Sequence, residues 1–346
     1  MKTISMLGAG SWGTALSAVL ADNGHQVQLW GHRQELVDQI NDKKENSKYL
    51  PGVKLSSQIN ATTDLKKAVE NSDVVIVAVP TKAIREVLKK LIPHMQKGLP
   101  FVHVSKGIEP DSLLRISEMM EEELPDHLRD AIIVLSGPSH AEEVGLRQPT
   151  TVTVSSKDLS QARKIQDLFM NQNFRVYTNP DIVGVEIGGA LKNVIALATG
   201  VTNGLGYGDN AKAALITRGL AEIARIGTAI GANPLTFSGL TGIGDLIVTC
   251  TSVHSRNLRA GNLLGKGYKL EDVLEQMGMV VEGVRTTRAA FQLSQKMNVK
   301  MPITEALYGV LFNGRNVNDA VESLMARGRT HEMEDLVNMF ESQMNK

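Results

Sequence analysis

Two lysines stand where packing does not explain them. Lys106, in HVSKGIEPDS, falls just past an apolar strand run, and Lys192, followed by Asn193, is set in EIGGALKNVIALATG, an otherwise small and apolar helical stretch. An ammonium in such surroundings calls for a partner or a function. LSGPSHAEEV places Gly137, Pro138 and Ser139 after another apolar run, small residues that let a backbone approach a ligand closely. LTGIGDLIVTCTSVHSRN then sets Asp245 after a Gly-rich turn and ends in Ser255, Arg256 and Asn257, donors suited to a phosphate. Taken alone, Asp245 reads as a helix cap and the donor run as a loop. Their occurrence with Lys106 and Lys192 favours one shared site.

A second chemistry is written near the start. ISMLGAGSWGTALSAVLADNGHQVQLWGHR puts Gly8, Gly10 and Gly13 between a hydrophobic strand and an amphipathic helix, with a second strand beyond. Gly8 permits the tight turn, Gly10 admits a pyrophosphate to the backbone, and Gly13 lets helix pack on strand, so free N–H groups at the helix start can bind phosphates. An NAD site would carry a carboxylate at the end of the second strand to hold the ribose 2′-hydroxyl. Here that end reads Trp30, Gly31, His32, Arg33, with no carboxylate before Glu35. Arg33 and His32 can pair with a 2′-phosphate, so NADPH is favoured, with NADH left open as a second cofactor. VVIVAVPTKAIREVL ends another strand at Pro80 and offers Thr81 as a helix cap; it would line the nicotinamide side, or be no more than a capped helix.

These residues need elements to hold them. Through about residue 180, short β-branched runs alternate with amphipathic segments, the pattern of a sheet covered by helices. Strands are expected over 3–7, 26–30, 73–79, 101–105, 131–136, 150–155 and 174–178, several continuously apolar as buried parallel strands are. Helices are expected over 14–23, closed by Gly24, over 82–92, closed by Pro93, and over 113–124. After Pro180 the strand runs stop and apolar residues recur at helical spacing. The expected fold is therefore α/β: a Rossmann-type dinucleotide-binding domain over residues 1–180, then an all-helical substrate and catalytic domain over 181–346. No Ser/Gly linker separates them, so the two should pack rigidly around a cleft. The last residues, EMEDLVNMFESQMNK, read as a charged terminal helix.

Composition narrows the function classes. The chain has 346 residues, with Lys+Arg 37 against Asp+Glu 37. That balance argues against a nucleic-acid binder, which carries a basic excess to neutralise phosphates. A single cysteine, Cys250, excludes an internal disulfide framework and a Cys-based zinc site, and no metal site is expected. The longest uninterrupted apolar stretches, VVIVAVP and AIIVLSG, fall well short of the ~18 residues of a membrane span, and the N-terminal apolar run breaks at Gly8. The expectation is a cytoplasmic protein without membrane insertion. Apolar helical faces serve equally as core or as the interface of a homodimer, so the oligomeric state stays open.

GAGSWGTAL, VPTKAIREVL, SKGIEP, SGPSHAEEV, EIGGALKNVIALATG, LTGIGDLIVTCTSVHSRN and VVEGVRTT follow one another nearly end to end. In order and spacing the chain resembles the bacterial NAD(P)-dependent sn-glycerol-3-phosphate dehydrogenases, which reduce dihydroxyacetone phosphate for phospholipid synthesis. The resemblance implies that Lys192 is the catalytic proton carrier, with Lys106 and Asp245 beside it. It implies that Lys106, Gly137, Ser139, Lys192, Asp245, Ser255, Arg256 and Asn257 surround the substrate. Cofactor contacts would come from Gly8, Gly10, Ser11, Trp12, Gly13, His32, Arg33, Tyr49, Lys106, Ala141, Arg256, Val280 and Glu282. Two other readings compete. One is a dehydrogenase of the 6-phosphogluconate or 3-hydroxyacid type, against which the HSRN cluster and GDL turn argue. The other is a non-catalytic NADPH-sensing module, which would not need Lys192 and Asp245.

Overall fold

The computed structural model describes residues 1–329 and Glu332. The terminal helix expected over EMEDLVNMFESQMNK lies, but for Glu332, outside the described residues.

The first half of the chain builds an eight-stranded sheet from β1 (Thr3–Leu7), β2 (Gln26–Trp30), β3 (Ile59–Thr62), β4 (Val74–Val77), β5 (Leu99–His103), β6 (Arg129–Ser136), β7 (Thr150–Ser156) and β8 (Phe174–Asn179), in the order β3-β2-β1-β4-β5-β6-β7-β8. Strands β3 to β6 are parallel; β7 runs antiparallel to β6, and β8 is parallel to β7. Helices α1 (Ser11–Asp22), α2 (Gln34–Lys43), α3 (Leu65–Val69), α4 (Ile84–Leu91), α5 (Ile116–Glu123), α6 (Ala141–Gly145) and α7 (Leu159–Phe169) connect the strands. The chain winds outward from β1 in one direction and from β4 in the other, so a crevice opens beyond the C-terminal ends of β1 and β4. Two apolar layers flank the sheet, one including α1 and α7, the other including α4 and α5.

The seven strands read from the sequence are present, with ends moved by a residue or two in several cases. β3 is additional. Thr81 does not cap: it opens a 3₁₀ turn over Thr81–Ala83 with Pro80 at the cap position, and α4 follows from Ile84. Proline pre-sets φ and leads straight into the turn, which moves the cap one residue earlier.

The second half consists of helices α8 (Ile182–Gly204), α9 (Asp209–Ala229), α10 (Asp245–Thr251), α11 (Arg256–Gly265), α12 (Leu270–Met277), α13 (Glu282–Met297), α14 (Pro302–Phe312) and α15 (Val317–Met325). α8 is the axis around which the others pack. Among the described residues it is the one helix long and apolar enough to cross a membrane, and 89% of its apolar window is buried inside the protein. Lys192 and Asn193 interrupt its apolar run, which is why a scan for uninterrupted stretches passes it over.

Only Pro180 and Asp181 join β8 to α8. The Asp181 side chain caps α8 by accepting from Gly184 N at 2.9 Å, and its other oxygen accepts from Asn233 N at 2.9 Å and Thr236 Oγ1 at 2.7 Å. These bonds tie the start of α8 to the Asn233–Thr236 segment of the same half of the chain.

Candidate active site

Lys192 lies midway along α8 with 6% of its surface exposed. Its ammonium donates to Asp245 Oδ1 and, at 2.8 Å, to Thr249 Oγ1. Asp245 and Thr249 are i and i+4 on α10, so one helix face presents both acceptors. The Thr249 hydroxyl gives its hydrogen to the Asp245 carbonyl at 2.6 Å, leaving an oxygen lone pair for the lysine. Asp245 is fully buried and opens α10, directly after a π-helical turn over Leu240–Gly244.

The other Asp245 oxygen accepts from Lys106 Nζ at 2.7 Å, and that ammonium also donates to the Gly137 carbonyl at 2.9 Å. Lys106 thus reaches from the end of β5 across to α10, and two lysines from opposite halves of the chain share one carboxylate. Burial lowers Lys192 most strongly; Asp245 pulls it back up and Lys106 lowers it further, leaving it at about 7. A lysine so placed exchanges its proton at neutral pH, which an ordinary lysine near 10.4 does not.

Gly137 and Ser139 form the lip beyond β6. Gly137 has φ +135°, a conformation that favours glycine, and Ser139 Oγ donates to its carbonyl at 2.9 Å. Of the HSRN donors, the structure brings Arg256 to the opening, where it is exposed, with Nη1 3.4 Å from the Val280 carbonyl. Ser255 and Asn257 are buried and engaged by protein. Ser255 Oγ caps α11 by accepting from Leu258 N at 3.2 Å; Asn257 donates to Asn193 Oδ1 and accepts from Gly283 N, both at 2.9 Å. These two shape the ground on which Arg256 stands.

The residues present fit a dinucleotide. Gly8 has φ +125°, and a Cβ there would meet the Ala78 carbonyl oxygen at 2.7 Å; one on Gly13 would strike the Gly8 carbonyl oxygen at 2.0 Å. A Cβ on Gly10 would meet nothing within 4 Å. Gly10 is the cap residue of α1 and no side-chain cap closes the helix start, which leaves its first N–H groups, those of Ser11 and Trp12, to a pyrophosphate. Trp12 and Tyr49 pack half-buried against the core beside this turn. Arg33 precedes α2 at its cap position, with its guanidinium 5.1 Å from the Tyr49 ring and a buried Nε without a partner among the described residues, while His32 beside it is exposed. Across the crevice, Glu282 at the start of α13 accepts from Thr81 N at 3.1 Å, and Ala141 opens α6 behind Ser139.

Sequence reasoning passed over Thr249 and His140 and named Asn193 without giving it a place in the site. Thr249 was legible as the i+4 neighbour of Asp245. Asn193, which anchors Asn257, followed Lys192 in the same motif. His140, adjacent to Ser139, packs its ring 5.6 Å from His254, which precedes Ser255. Burial lowers the His140 imidazole, and Lys192 lowers it further.

A parallel nucleotide-binding sheet joined to a helical domain, with a neutral-range lysine at the crevice between them, defines a two-domain dinucleotide-dependent oxidoreductase. Comparison with known proteins narrows the class. Residues 3–162 match the family model for the NAD-dependent glycerol-3-phosphate dehydrogenase N-terminus, and residues 181–322 match that for its C-terminus. A glycerol-3-phosphate dehydrogenase, NAD(P)+, of Bacillus velezensis is 76% identical over 344 residues, 99% of this chain and 100% of the relative; one of Bacillus subtilis is 75% identical over the same shares. The crystal structure of glycerol-3-phosphate dehydrogenase from Coxiella burnetii, 36% identical, superposes with a TM-score of 0.90 over 94% of this chain and 99% of that one. The chain belongs to the NAD-dependent glycerol-3-phosphate dehydrogenase family.

Proposed function

We propose that the protein reduces dihydroxyacetone phosphate to sn-glycerol 3-phosphate, with NADPH favoured over NADH, and supplies the glycerol phosphate backbone for phospholipid synthesis. The observation that carries the chemistry is the Lys192 ammonium, buried between Asp245 and Thr249 with Lys106 on the same carboxylate. When bound, the reduced nicotinamide supplies a hydride to the C2 carbonyl carbon. Lys192 gives its proton to the oxygen at C2 as charge develops there, and takes it back in the reverse direction. Asp245 aims the ammonium and keeps Lys192 from losing its proton too readily; Lys106 works against it and keeps the proton mobile. Arg256 holds the substrate phosphate at the opening, Ser255 and Asn257 fix the N-terminal turn of α11 beneath it, and Gly137 and Ser139 line the other side. Binding energy at the phosphate then positions the carbonyl.

NADPH is favoured because Arg33 and His32 occupy the position where a ribose-binding carboxylate would stand, and the Arg33 Nε has no partner among the described residues. In this reading residues 1–180 bind the cofactor and 181–346 carry the substrate chemistry, in a cytoplasmic protein that works alone or as a homodimer. The deciding experiment follows nicotinamide absorbance with dihydroxyacetone phosphate, using NADPH and NADH in turn. Oxidation of NADPH at the higher kcat/KM is expected; oxidation of neither overturns the assignment.

A further inference from the structure

One buried charged cluster lies outside the chemistry described above. Glu186 sits six residues before Lys192 on α8 with 6% of its surface exposed, and its carboxylate is filled from the opposite half of the chain. Oε1 accepts from Ser117 N at 2.8 Å and lies 3.0 Å from His103 Nε2; Oε2 accepts from Ser117 Oγ at 2.6 Å and from Arg115 Nη1. Arg115 turns its other nitrogen to Glu118 at 2.9 Å.

The partners bracket Lys106. His103 is the last residue of β5, three before Lys106; Arg115 pairs its backbone with Ile108, two residues after Lys106. Both stems of the Lys106 loop are therefore tied to Glu186, and Glu186 shares a rigid helix with Lys192, roughly 9 Å away along the axis. Between them on α8, Gly189 leaves so little room that a Cβ would meet Ser136 Oγ at 2.7 Å and the Lys106 Cγ at 3.6 Å. The loop packs directly on the helix that carries the other lysine.

We propose that Glu186, with His103 and Arg115, is a positioning group that sets the separation of Lys106 and Lys192 on their shared carboxylate. Its carboxylate is taken up by protein groups, Ser117, Arg115 and His103. Its effect runs through charge: while Lys106 is held against Asp245, it competes with Lys192 for that carboxylate and repels it. Release of the Lys106 loop removes the repulsion and frees Asp245 for Lys192, so both changes raise the affinity of Lys192 for its proton. A buried ion cluster with a purely structural role would lower stability on mutation and leave that titration where it was.

The inference rests on the Lys192 reading, and its test separates the two. Lysine Cε resonances of the protein without cofactor, labelled with ¹³C and assigned with Lys192→Arg and Lys106→Arg, report the Lys192 titration directly. The pH dependence of dihydroxyacetone phosphate reduction reports whether that titration governs turnover. His103→Asn leaves the Glu186–Arg115 pair in place, and Arg115→Lys keeps the charge but not the two-pronged geometry; thermal melts select the folded variant. The expected result is a Lys192 titration moved upward by about one pH unit, a tenfold change in proton affinity. The high-pH fall in reductive kcat should move with it, with kcat at pH 7 down about tenfold or more from misplacement and KM for NADPH unchanged. An unmoved Lys192 resonance in a folded variant overturns the positioning role. A resonance that moves while the activity profile stays fixed retains the positioning role and overturns Lys192 as the proton donor.

Discussion

At the scale of single residues, the proposed mechanism gives Lys192 and Arg256 different tasks, and mutation should separate them. Lys192 is buried with its proton held by Asp245 and Thr249, and in the proposed mechanism its work is done as charge develops on the substrate oxygen. Lys192→Ala should lower kcat by about 10²- to 10⁴-fold, the range of general acid–base catalysis, with NADPH binding unchanged by fluorescence titration. Near-normal turnover would remove it from the mechanism. Arg256 is exposed at the opening, and in the proposed mechanism it binds the part of the substrate that does not react. Arg256→Ala should raise KM for dihydroxyacetone phosphate by about tenfold or more, the loss of a charge-assisted contact to a phosphate; an unchanged KM would place the phosphate elsewhere. Both residues were legible in the sequence because a charge in an apolar run and a donor cluster after a glycine turn are each costly without a use. Ser255 and Asn257 read there as equal partners of Arg256. Their engagement with Leu258, Asn193 and Gly283 depends on segments up to 64 residues away in the chain, which no local pattern encodes.

At the scale of elements, the turn between β1 and α1 assigns its glycines to fold and to ligand, and alanine tells them apart. Gly13→Ala drives a methyl into the Gly8 carbonyl 2.0 Å away, so helix and strand must part. A loss of a few kcal/mol, seen as a lower melting temperature without cofactor, is expected. Gly10→Ala meets nothing within 4 Å and should leave that melt almost unchanged. It places the methyl where the pyrophosphate approaches, so NADPH should bind at least about tenfold more weakly by calorimetry. Equal loss of stability in both variants would show that the turn has no ligand-facing position. The same turn explains why β1, α1 and β2 were readable: apolar run, glycines and amphipathic run all specify one unit. β3 escaped because INAT offers four residues and one large apolar side chain. The antiparallel course of β7 escaped because strand direction is set by the connection through α6, and TTVTVSS carries no mark of it.

At the scale of the whole molecule, equal numbers of acidic and basic residues conceal a buried division of charge, and stability should show it as pH falls. Burial pushes the Glu186 carboxyl up, yet His103, Arg115 and Ser117 overcome this and hold it at about 2. A carboxyl lowered on folding adds stability above its unfolded value near 4.5; that contribution is lost as pH falls from there toward 2. Burial instead raises Glu222, on α9, to about 7 despite the Ile303 and Thr304 N–H groups it accepts from. Its contribution has the opposite sign, complete below about 4.5 and lost as pH rises through 7. The two trends overlap in the wild-type protein, so a single melting curve against pH does not assign either. Glu186→Gln removes one and leaves the other. The variant should be less stable than wild type at pH 7 by about 3 kcal/mol, the size of the shift, and the gap in melting temperature should narrow steadily between pH 5 and pH 3. Since Glu186 belongs to α8 and its partners to β5, α5 and the turn before it, both halves of the chain should lose this stabilisation in one acid transition. A gap that stays constant with pH would mean that Glu186 is not held as an anion between the two domains.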